Sequence, residues 1–353
     1  MIQCKQIRHV VWLQSSFLGD LVLTTAALQL LQLELPNIKQ HIITTEMGQL
    51  VFGGLPFIES IHVFKKSTFG ILNEAARLRS YLKANGINRS NAVLLQPHLS
   101  IRSSILRILA FIPTITYEET SWSFFQTVRV PRISVFHECV RISLLLEPLG
   151  IDRAKLVKAK PYLTLKSDEQ NNIISPKLDL ISGRLIGIAP GSNWGTKRWP
   201  IDSYLNLINM ILDTISNVTI VILGAKSEAG LCHELSAQVG DGTRLLNLAG
   251  ETTLADLSGI YQRLDLLISG DSSPVHYASA FNVATIAIFG PTVPEMGFGP
   301  LADKSVVIET KGLSCRPCSL HGPEVCPLVH FKCMKLIEPQ AVFDAVCRLI
   351  DTA

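Results

Sequence analysis

The segment of residues 15–25 carries an acidic side chain at a position where a carboxylate can do chemistry. Asp20 follows a short apolar run and precedes a helix-like run of leucine, valine and threonine. In a doubly wound sheet such a strand-to-helix turn faces the ligand, and a helix N-terminus favours an ionised carboxylate, so Asp20 could act as a general base. Alternatively, Asp20 is only the N-cap of a helix that begins at Leu21. The residues leave both interpretations open.

A second polar segment covers residues 188–200 and also follows an apolar run. Its chemistry-bearing side chains are two hydroxyls and two adjacent cations: Ser192, Thr196, Lys197 and Arg198. Hydroxyls, glycines and cations ahead of a helix that starts near Pro200 are suited to binding phosphate oxygens. The segment is not a P-loop, because the G-x-x-x-x-G-K-[ST] spacing is missing. A plain surface turn packed over Trp199 would explain Trp199 and Pro200 but not the hydroxyls.

The third segment, residues 269–278, joins a predicted strand to a predicted helix. Its candidate ligand-binding residues are Asp271, Ser272, Ser273, Pro274 and His276. The backbone N–H groups at such a helix N-terminus are free to bind an anion. A turn capped by Asp and Ser is the alternative, and it is compatible with anion binding.

Four cysteines lie within 19 residues, in the pattern Cys315-x2-Cys318-x7-Cys326-x6-Cys333. They could hold zinc or an iron–sulfur cluster, or they could pack a compact loop as free thiols. Because the spacing matches no standard zinc signature, we expect a structural loop without metal. The other four cysteines stand alone in apolar or helical contexts, which is typical of reduced core residues in a cytosolic protein: Cys4, Cys139, Cys232 and Cys347.

Composition and order indicate two α/β domains. The chain has 353 residues, of which 47% are hydrophobic and 17% charged, and this excludes a disordered or collagen-like chain. Its apolar runs are shorter than the ~20 residues of a membrane span, and the N-terminus has no signal-peptide core, so we expect a soluble or peripheral protein. Strand-like runs alternate with helical patterns, at 7–13, 58–64, 92–95, 185–189, 218–223, 264–269 and 284–289 for the strands and at about 20–34, 72–84 and from about 100 for the helices.

Such alternation predicts two doubly wound parallel sheets, each covered by helices, with a cleft between the domains. The periodicity weakens near residue 172, which predicts domains of residues 1–172 and 173–353. Residues 1–172 carry 19 Lys and Arg against 12 Asp and Glu, a net charge of +7, and residues 173–353 carry 13 against 17, a net of −4. This difference in net charge either reflects a chance distribution of surface charges or indicates that the N-terminal part binds an anionic partner such as an acidic membrane leaflet. The cations predicted for that surface are Arg77, Arg79, Lys83, Arg102 and Arg107.

Two signals of other enzyme classes are missing. No G-x-G-x-x-G follows the first strand, and Gly297-Phe-Gly299 lacks the third glycine, so a Rossmann-type dehydrogenase is not indicated. The chain has no Asp-x-Asp pair to hold a divalent ion on a diphosphate. A bound diphosphate would therefore be neutralised by Lys197, with Arg198 beside it, and by helix N-termini.

Taken together, five motifs resemble those of the glycosyltransferase family 9 heptosyltransferases of lipopolysaccharide core synthesis. The motifs are Gly19-Asp20-Leu-Val-Leu-Thr-Thr, Pro190-Gly191 with Lys197-Arg198-Trp199-Pro200, Leu223-Gly224-Ala225-Lys226-Ser227-Glu228, Gly270-Asp271-Ser272-Ser273-Pro274-Val275-His276 and Phe289-Gly290-Pro291-Thr292. The four clustered cysteines are similar to those of the heptosyltransferase II branch. Ala26 after the two threonines and Ser273-Pro274 in the fourth motif depart from the usual family residues.

This resemblance implies a GT-B fold of two Rossmann-like domains, with the acceptor on the N-terminal domain and the nucleotide sugar on the C-terminal one. It implies an inverting transfer of heptose from ADP-heptose to the anionic, lipid-linked inner core, with no metal, no cofactor and no nucleic acid. The protein would be cytoplasmic, with peripheral contact at the inner face of the inner membrane. The implied roles are a general base for Asp20, diphosphate binding for Ser192, Thr196 and Lys197, a place near the nucleoside for Glu228, and donor contacts for Asp271 to Pro274 and His276.

Two other functions fit the same domain pattern. A nucleotide-sugar epimerase or hydrolase would turn over the donor without an acceptor. A non-catalytic module would bind envelope glycolipid and would not need the Lys197 segment.

Overall fold

The computed structural model describes residues 6–64, 71–121, 127–164, 178 and 181–351. The chain divides into two compact units, Met1–Thr164 and Leu165–Ala353. The predicted linker near residue 172 lies outside the described residues.

The first unit is a six-stranded parallel sheet with helices between its strands. In chain order its elements are β1 (His9–Leu13), α1 (Leu18–Glu34), β2 (Lys39–Thr44), α2 (Glu46–Phe52), β3 (Ile58–Val63), α3 (Ile71–Ala84), β4 (Ala92–Gln96), α4 (Ile101–Ala110), β5 (Thr114–Tyr117), β6 (Val128–Val130), α5 (Glu138–Leu144) and α6 (Arg153–Leu156). The strand order is β3-β2-β1-β4-β5-β6. Because His9 pairs with Lys39 on one side and with Ala92 on the other, the direction of winding reverses between β1 and β4. The loops after these two strands therefore form the crevice where doubly wound sheets bind ligands.

The second unit repeats this topology. Its elements are β7 (Arg184–Ala189), α7 (Ile201–Thr214), β8 (Val218–Ile222), α8 (Ala229–Gln238), β9 (Leu245–Asn247), α9 (Leu254–Arg263), β10 (Leu266–Gly270), α10 (Ser273–Ala280), β11 (Ala284–Phe289), β12 (Ser305–Glu309), α11 (Lys332–Lys335) and α12 (Pro339–Asp351). The strand order is β12-β11-β10-β7-β8-β9. Ser269 pairs with Ala189, so the second and third polar segments follow the two strands at the reversal point. The two doubly wound parallel sheets predicted from the sequence are confirmed.

Apolar strands buried on both faces form the cores, as expected for parallel sheets covered by helices. Val11 and Leu94 lie in the core of the first unit, and Ile188 and Ile268 in that of the second. Cys139 and Cys232 are buried in the cores, as predicted, and burial raises the pKa of each thiol to about 12; their reduced state remains a prediction. Cys347 is half-buried, and Cys4 lies outside the described residues. None of the helices in the described parts of the chain has the length and apolar character needed to cross a bilayer.

Candidate active site

Asp20 lies inside the first turn of α1 and is not its N-cap. The helix starts at Leu18, Phe17 is the capping residue, and the Leu21 N–H donates to the Phe17 carbonyl at 3.1 Å. The predicted helix start at Asp20, and with it the cap interpretation, is wrong because Leu18 and Gly19 already have helical backbone. Asp20 is half-buried, and its first-turn position lets the helix dipole stabilise the ionised carboxylate.

Polar side chains hold the loop ahead of Asp20. The Gln14 amide donates to the Thr24 hydroxyl at 2.8 Å and accepts from the Ser16 hydroxyl at 2.8 Å. The Ser15 hydroxyl lies 3.4 Å from that of Ser103, in α4. These bonds connect the loop after β1 to the helix after β4, at the reversal point of the first sheet. Sequence reasoning missed Gln14 and Ser103, although the position of Gln14 directly after a predicted strand was a signal.

Lys197 and Asp271 form an ion pair at the reversal point of the second sheet. The Lys197 Nζ lies 2.6 Å from Asp271 Oδ2, and the two side chains are only 12% and 7% exposed. The Thr292 hydroxyl donates to the same carboxylate oxygen at 2.6 Å. The structure therefore joins two predicted segments and adds Thr292, which the sequence analysis included only within a motif. A buried charge pair of this kind is kept in place only when further hydrogen bonds satisfy its atoms.

The loop after β7 is braced by Arg198. Its Nε and Nη2 donate to the Ser192 carbonyl at 2.9 and 2.7 Å, and the Ser192 hydroxyl accepts from the Trp194 N–H at 3.3 Å. Arg198 thus fixes the shape of the loop through its backbone, and Trp199 is buried with its Nε1 donating to the Ile337 carbonyl at 3.2 Å. In the structure Arg198 makes this loop-bracing contact, and the place beside a diphosphate that the sequence suggests for it remains a prediction.

The same loop is in contact with the cysteine-rich segment (residues 315–333). The buried Thr196 hydroxyl donates to the Pro323 carbonyl, and the Gly195 N–H donates to a Glu324 carboxylate oxygen at 3.0 Å. Sequence analysis treated these two segments as unrelated. They follow β7 and β12, which are separated in the sheet, and only the fold shows the contact.

Glu228 lies directly against the start of the β7 loop. A Cβ added to Gly191 would lie 2.2 Å from the Glu228 carboxyl carbon, so a side chain at position 191 would displace this carboxylate. Glu228 also accepts from the Ala225 N–H at 2.7 Å. The carboxylate is therefore held at the carboxyl edge of β7 and β8, where its predicted place near a nucleoside remains a prediction.

The N-terminus of α10 opens beside Lys197. Ser272 is its N-cap, and Ser273 and Pro274 are its first residues. The Val275 N–H donates to the Ser272 carbonyl at 3.1 Å. Since proline has no N–H, the helix can offer only the N–H groups of Ser272 and Ser273 to an anion. The Lys197 carbonyl would be 2.6 Å from a Cβ on Gly270, so the glycine allows the two segments to approach.

His276 is buried on the same helix. Its ring lies against that of Phe298, with 6.3 Å between the ring centroids. The donor contact predicted for His276 remains a prediction.

The four clustered thiols are neighbours in space. Burial and then the neighbouring Cys318 thiol raise the pKa of Cys333 to about 11, and burial and then Cys315 raise the pKa of Cys318. Cys333 is buried and Cys318 exposed. Across the described ranges, no group of three or more His, Cys, Asp or Glu side chains is placed to hold a metal ion. The expectation of a metal-free loop stays a prediction.

Similar folds occur in solved structures. A glycosyl transferase family 9 protein from Veillonella parvula superposes with a TM-score of 0.82 over 98% of each chain at 20% identity. The E. coli ADP-heptose LPS heptosyltransferase II superposes with a TM-score of 0.77 over 98% of this chain and 99% of that one, also at 20% identity. These likenesses confirm the GT-B fold.

Sequence comparison gives the family. The chain is 31% identical over 169 residues to a Campylobacter jejuni lipooligosaccharide heptosyltransferase 2, which is 47% of this chain and 51% of that protein. It therefore spans about half the length of such curated relatives. A family model described as glycosyltransferase family 9 (heptosyltransferase) matches residues 80–324. This match covers more than half of the chain and includes the Lys197 loop, the Asp271 turn and most of the described second sheet, and the protein belongs to glycosyltransferase family 9.

Proposed function

We propose that the protein is an inverting, metal-independent heptosyltransferase that moves heptose from ADP-heptose to the lipopolysaccharide inner core. The observation that carries the proposal is the Lys197–Asp271 pair beside the N-terminus of α10, at the reversal point of a family 9 fold. Heptosyltransferase relatives support the donor and acceptor classes.

The leaving group of this reaction is a nucleoside diphosphate, whose negative charge grows as the glycosidic bond breaks. Lys197 supplies a cation, and Ser272 and Ser273 supply backbone N–H groups at a helix N-terminus, so charge is stabilised by groups that are already oriented. Ser192, Thr196 and Arg198 shape the loop that carries Lys197. Asp271, Pro274 and His276 contact the rest of the donor in this proposal, and Glu228 binds its nucleoside.

Asp20 is the proposed general base. Inversion requires a group that removes the proton from the acceptor hydroxyl as it attacks the anomeric carbon. Asp20 is half-buried in the first turn of α1, where the helix dipole favours the ionised carboxylate, and α1 follows a strand at the reversal point of the first sheet. The first unit is thus the proposed acceptor-binding domain.

Peripheral contact of this cytoplasmic enzyme with an anionic bilayer is also proposed for the first unit. A groove of about 390 Å³ at the ends of α3 and α4 is lined by Arg79, Lys83 and Arg89 and by Phe111, which is 67% exposed. Cations and an exposed aromatic ring suit the headgroup layer. Arg107, one of the cations expected on this surface, is buried, so that expectation is wrong because its side chain packs into the unit.

The test is a product assay. Purified protein is incubated with ADP-heptose and truncated core lipid, with and without EDTA, and the mass of the lipid product is measured by mass spectrometry. We expect the mass of one added heptose in both samples, and an NMR spectrum of the product should show the inverted anomeric configuration. Donor consumption without acceptor would instead identify an epimerase or hydrolase, and absence of ADP binding would identify a glycolipid-binding module.

A further inference from the structure

The cysteine-rich segment is anchored beneath the Lys197–Asp271 pair by one arginine. Arg316 is only 6% exposed and follows Cys315, and its guanidinium donates to the ends of β11 and β12. Its partners are the carbonyls of Phe289, Gly290, Thr292 and Thr310 and the carboxylate of Glu309. Few side chains other than a planar guanidinium, with five donors in a fixed fork, could satisfy such a set.

One of these bonds leads directly to the ion pair. Arg316 Nη2 donates to the Thr292 carbonyl at 2.8 Å, and the Thr292 hydroxyl donates to Asp271 Oδ2 at 2.6 Å. That oxygen lies 2.6 Å from Lys197 Nζ. The arginine thus fixes the backbone of the residue whose side chain orients Asp271, and Asp271 orients Lys197.

The far part of the segment lies against the backbone of the Lys197 loop. A Cβ on Gly322 would lie 3.2 Å from the Thr196 hydroxyl oxygen and 3.5 Å from Lys197 Cγ. The Glu324 carboxylate accepts from the Gly195 N–H at 3.0 Å, and the His321 ring stacks on Trp194 with centroids 6.1 Å apart. The cysteine-rich segment therefore contacts the loop that carries Lys197 at Trp194, Gly195 and Thr196.

We propose that Arg316 and Thr292 are positioning residues for donor binding, and that the cysteine-rich segment serves to lock the diphosphate-binding loop. The inference rests on the proposed function, because it assigns the pair to the donor diphosphate. A lysine side chain has many rotamers, and stabilisation of a diphosphate requires its ammonium to be in place before the charge develops. The hydrogen bonds from Arg316 through Thr292 and Asp271 fix the position of the Lys197 ammonium, and neither Arg316 nor Thr292 needs to contact the ligand.

The first experiment compares Arg316→Lys with Arg244→Lys. Arg244 is a matched control in the same unit, because it donates to the carbonyls of Leu212 and Ile215 and to Asp241 at the β8–β9 edge. ADP affinity is measured by calorimetry and Tm by scanning fluorimetry. Arg316→Lys should weaken ADP binding about tenfold, the effect of losing one hydrogen bond to a charged group, whereas Arg244→Lys should lower only Tm.

The second experiment replaces only the hydroxyl that orients Asp271. Thr292→Val keeps the side-chain volume and removes the donor, and Thr292→Ser keeps the donor. Thr292→Val should lower kcat/KM for the donor about tenfold and leave KM for the acceptor unchanged, and Thr292→Ser should restore most of the loss. This pair tests the inference even if Arg316→Lys does not fold.

The outcomes separate the two proposals. Normal ADP binding by the wild type together with unchanged ADP affinity in Arg316→Lys and unchanged donor kcat/KM in Thr292→Val would overturn the inference alone. Failure of the wild type to bind ADP would overturn the proposed function as well.

Discussion

At the residue scale, the Lys197–Asp271 pair concentrates the chemistry assigned to the second unit. Both side chains are nearly buried and share Asp271 Oδ2 with the Thr292 hydroxyl. A buried pair contributes little net stability, and breaking it leaves an uncompensated charge, so its presence at the reversal point fits a role in binding an ionic ligand better than a role in folding.

Removing the Lys197 cation should therefore impair chemistry strongly. Lys197→Ala should lower kcat/KM for the donor by about 10²-fold or more, because the charge it stabilises develops in the transition state. Lys335, an exposed lysine of α11, provides the control, since Lys335→Ala should leave kcat/KM unchanged. Initial rates with and without EDTA check the assignment, and strict dependence of the wild type on an added divalent ion would contradict it.

The second residue-scale prediction concerns Asp20. Asp20→Asn keeps the shape of the side chain but cannot accept a proton, so turnover should fall by about 10²–10⁴-fold while ADP affinity is unchanged. Tm should change little, because Asn keeps the size and most hydrogen-bonding capacity of the side chain, and the lost interaction of the carboxylate with the helix dipole is about 0.3–1 kcal/mol. Product formation is measured by mass spectrometry.

Asp152 gives the control for Asp20, because it is a true N-cap. Its carboxylate accepts from the Ala154 N–H at 2.9 Å at the start of α6. Asn caps a helix about as well as Asp, so Asp152→Asn should be nearly silent in both Tm and turnover. A fully active Asp20→Asn enzyme would refute the mechanism and direct the search for the base to His276 or another carboxylate.

At the element scale, the seven predicted runs all coincide with strands, including β3, which carries Glu59, Ser60 and His62, whereas other strands, β2 among them, were missed. The predicted runs at 92–95 and 284–289 coincide with β4 and β11 within one residue. β2 was not predicted, because its buried strand carries Gln40 and His41 among its isoleucines. The cost of burying these polar groups is offset by bonds from Gln40 to the Leu28 carbonyl at 2.9 Å and from His41 to Ser60 at 2.7 Å. Such partners come from distant elements and cannot be read from a local pattern.

The candidate site shows the same division. The three polar segments were recognisable because hydroxyls, glycines and charges follow apolar runs, and the fold places each at a carboxyl edge. The Arg198 brace and the contact of Thr196 with Pro323 were not recognisable, because they depend on loop geometry and on a segment more than 120 residues away.

The histidines of the first sheet lead to a prediction about stability and pH. His41 lies within 2.9 Å of His9 and 2.7 Å of Ser60, whose hydroxyl lies 2.6 Å from that of Tyr81. Burial, and then the neighbouring His9, lower the pKa of His41 from 6.5 to about 4. Between these values the unfolded chain binds a proton that the folded protein does not, so stability present above pH 6.5 is lost as the pH falls towards 4.

The pH dependence can be assigned by substitution. Between pH 7 and pH 5 the His41 contribution to the free energy of unfolding is on the order of 2 kcal/mol, and His41→Gln should remove that part of the pH dependence while lowering stability at pH 7. His233→Gln, at an exposed position of α8, should leave the wild-type pH dependence intact. Urea unfolding at both pH values measures the effect, and an unchanged slope in His41→Gln would show that another group titrates.

At the scale of the whole molecule, charge is distributed unevenly between two units of the same topology. The net charge of +7 in residues 1–172 faces an acceptor that is anionic and lipid-linked under the proposed function. Among the described residues of the first unit, no carboxylate lines the groove of Arg79, Lys83 and Arg89, and the Arg79 guanidinium lies over the Phe111 ring at 4.9 Å. The two units therefore share a topology but differ in net charge.

The groove should direct the protein to anionic membranes. Each Lys or Arg near such a surface contributes about 1 kcal/mol, so a variant with Arg79→Ala, Lys83→Ala and Arg89→Ala should lose about a hundredfold in affinity for phosphatidylglycerol vesicles. Three exposed lysines of the second unit, Lys226, Lys311 and Lys335, provide a variant with the same change in net charge, and it should bind vesicles nearly as well as the wild type. Vesicle sedimentation at low and high salt measures both, because attraction between exposed charges weakens as salt rises. Equal losses in the two variants would show that net charge, and not the groove, governs membrane binding, whereas unchanged ADP affinity in both would show that the donor site is intact.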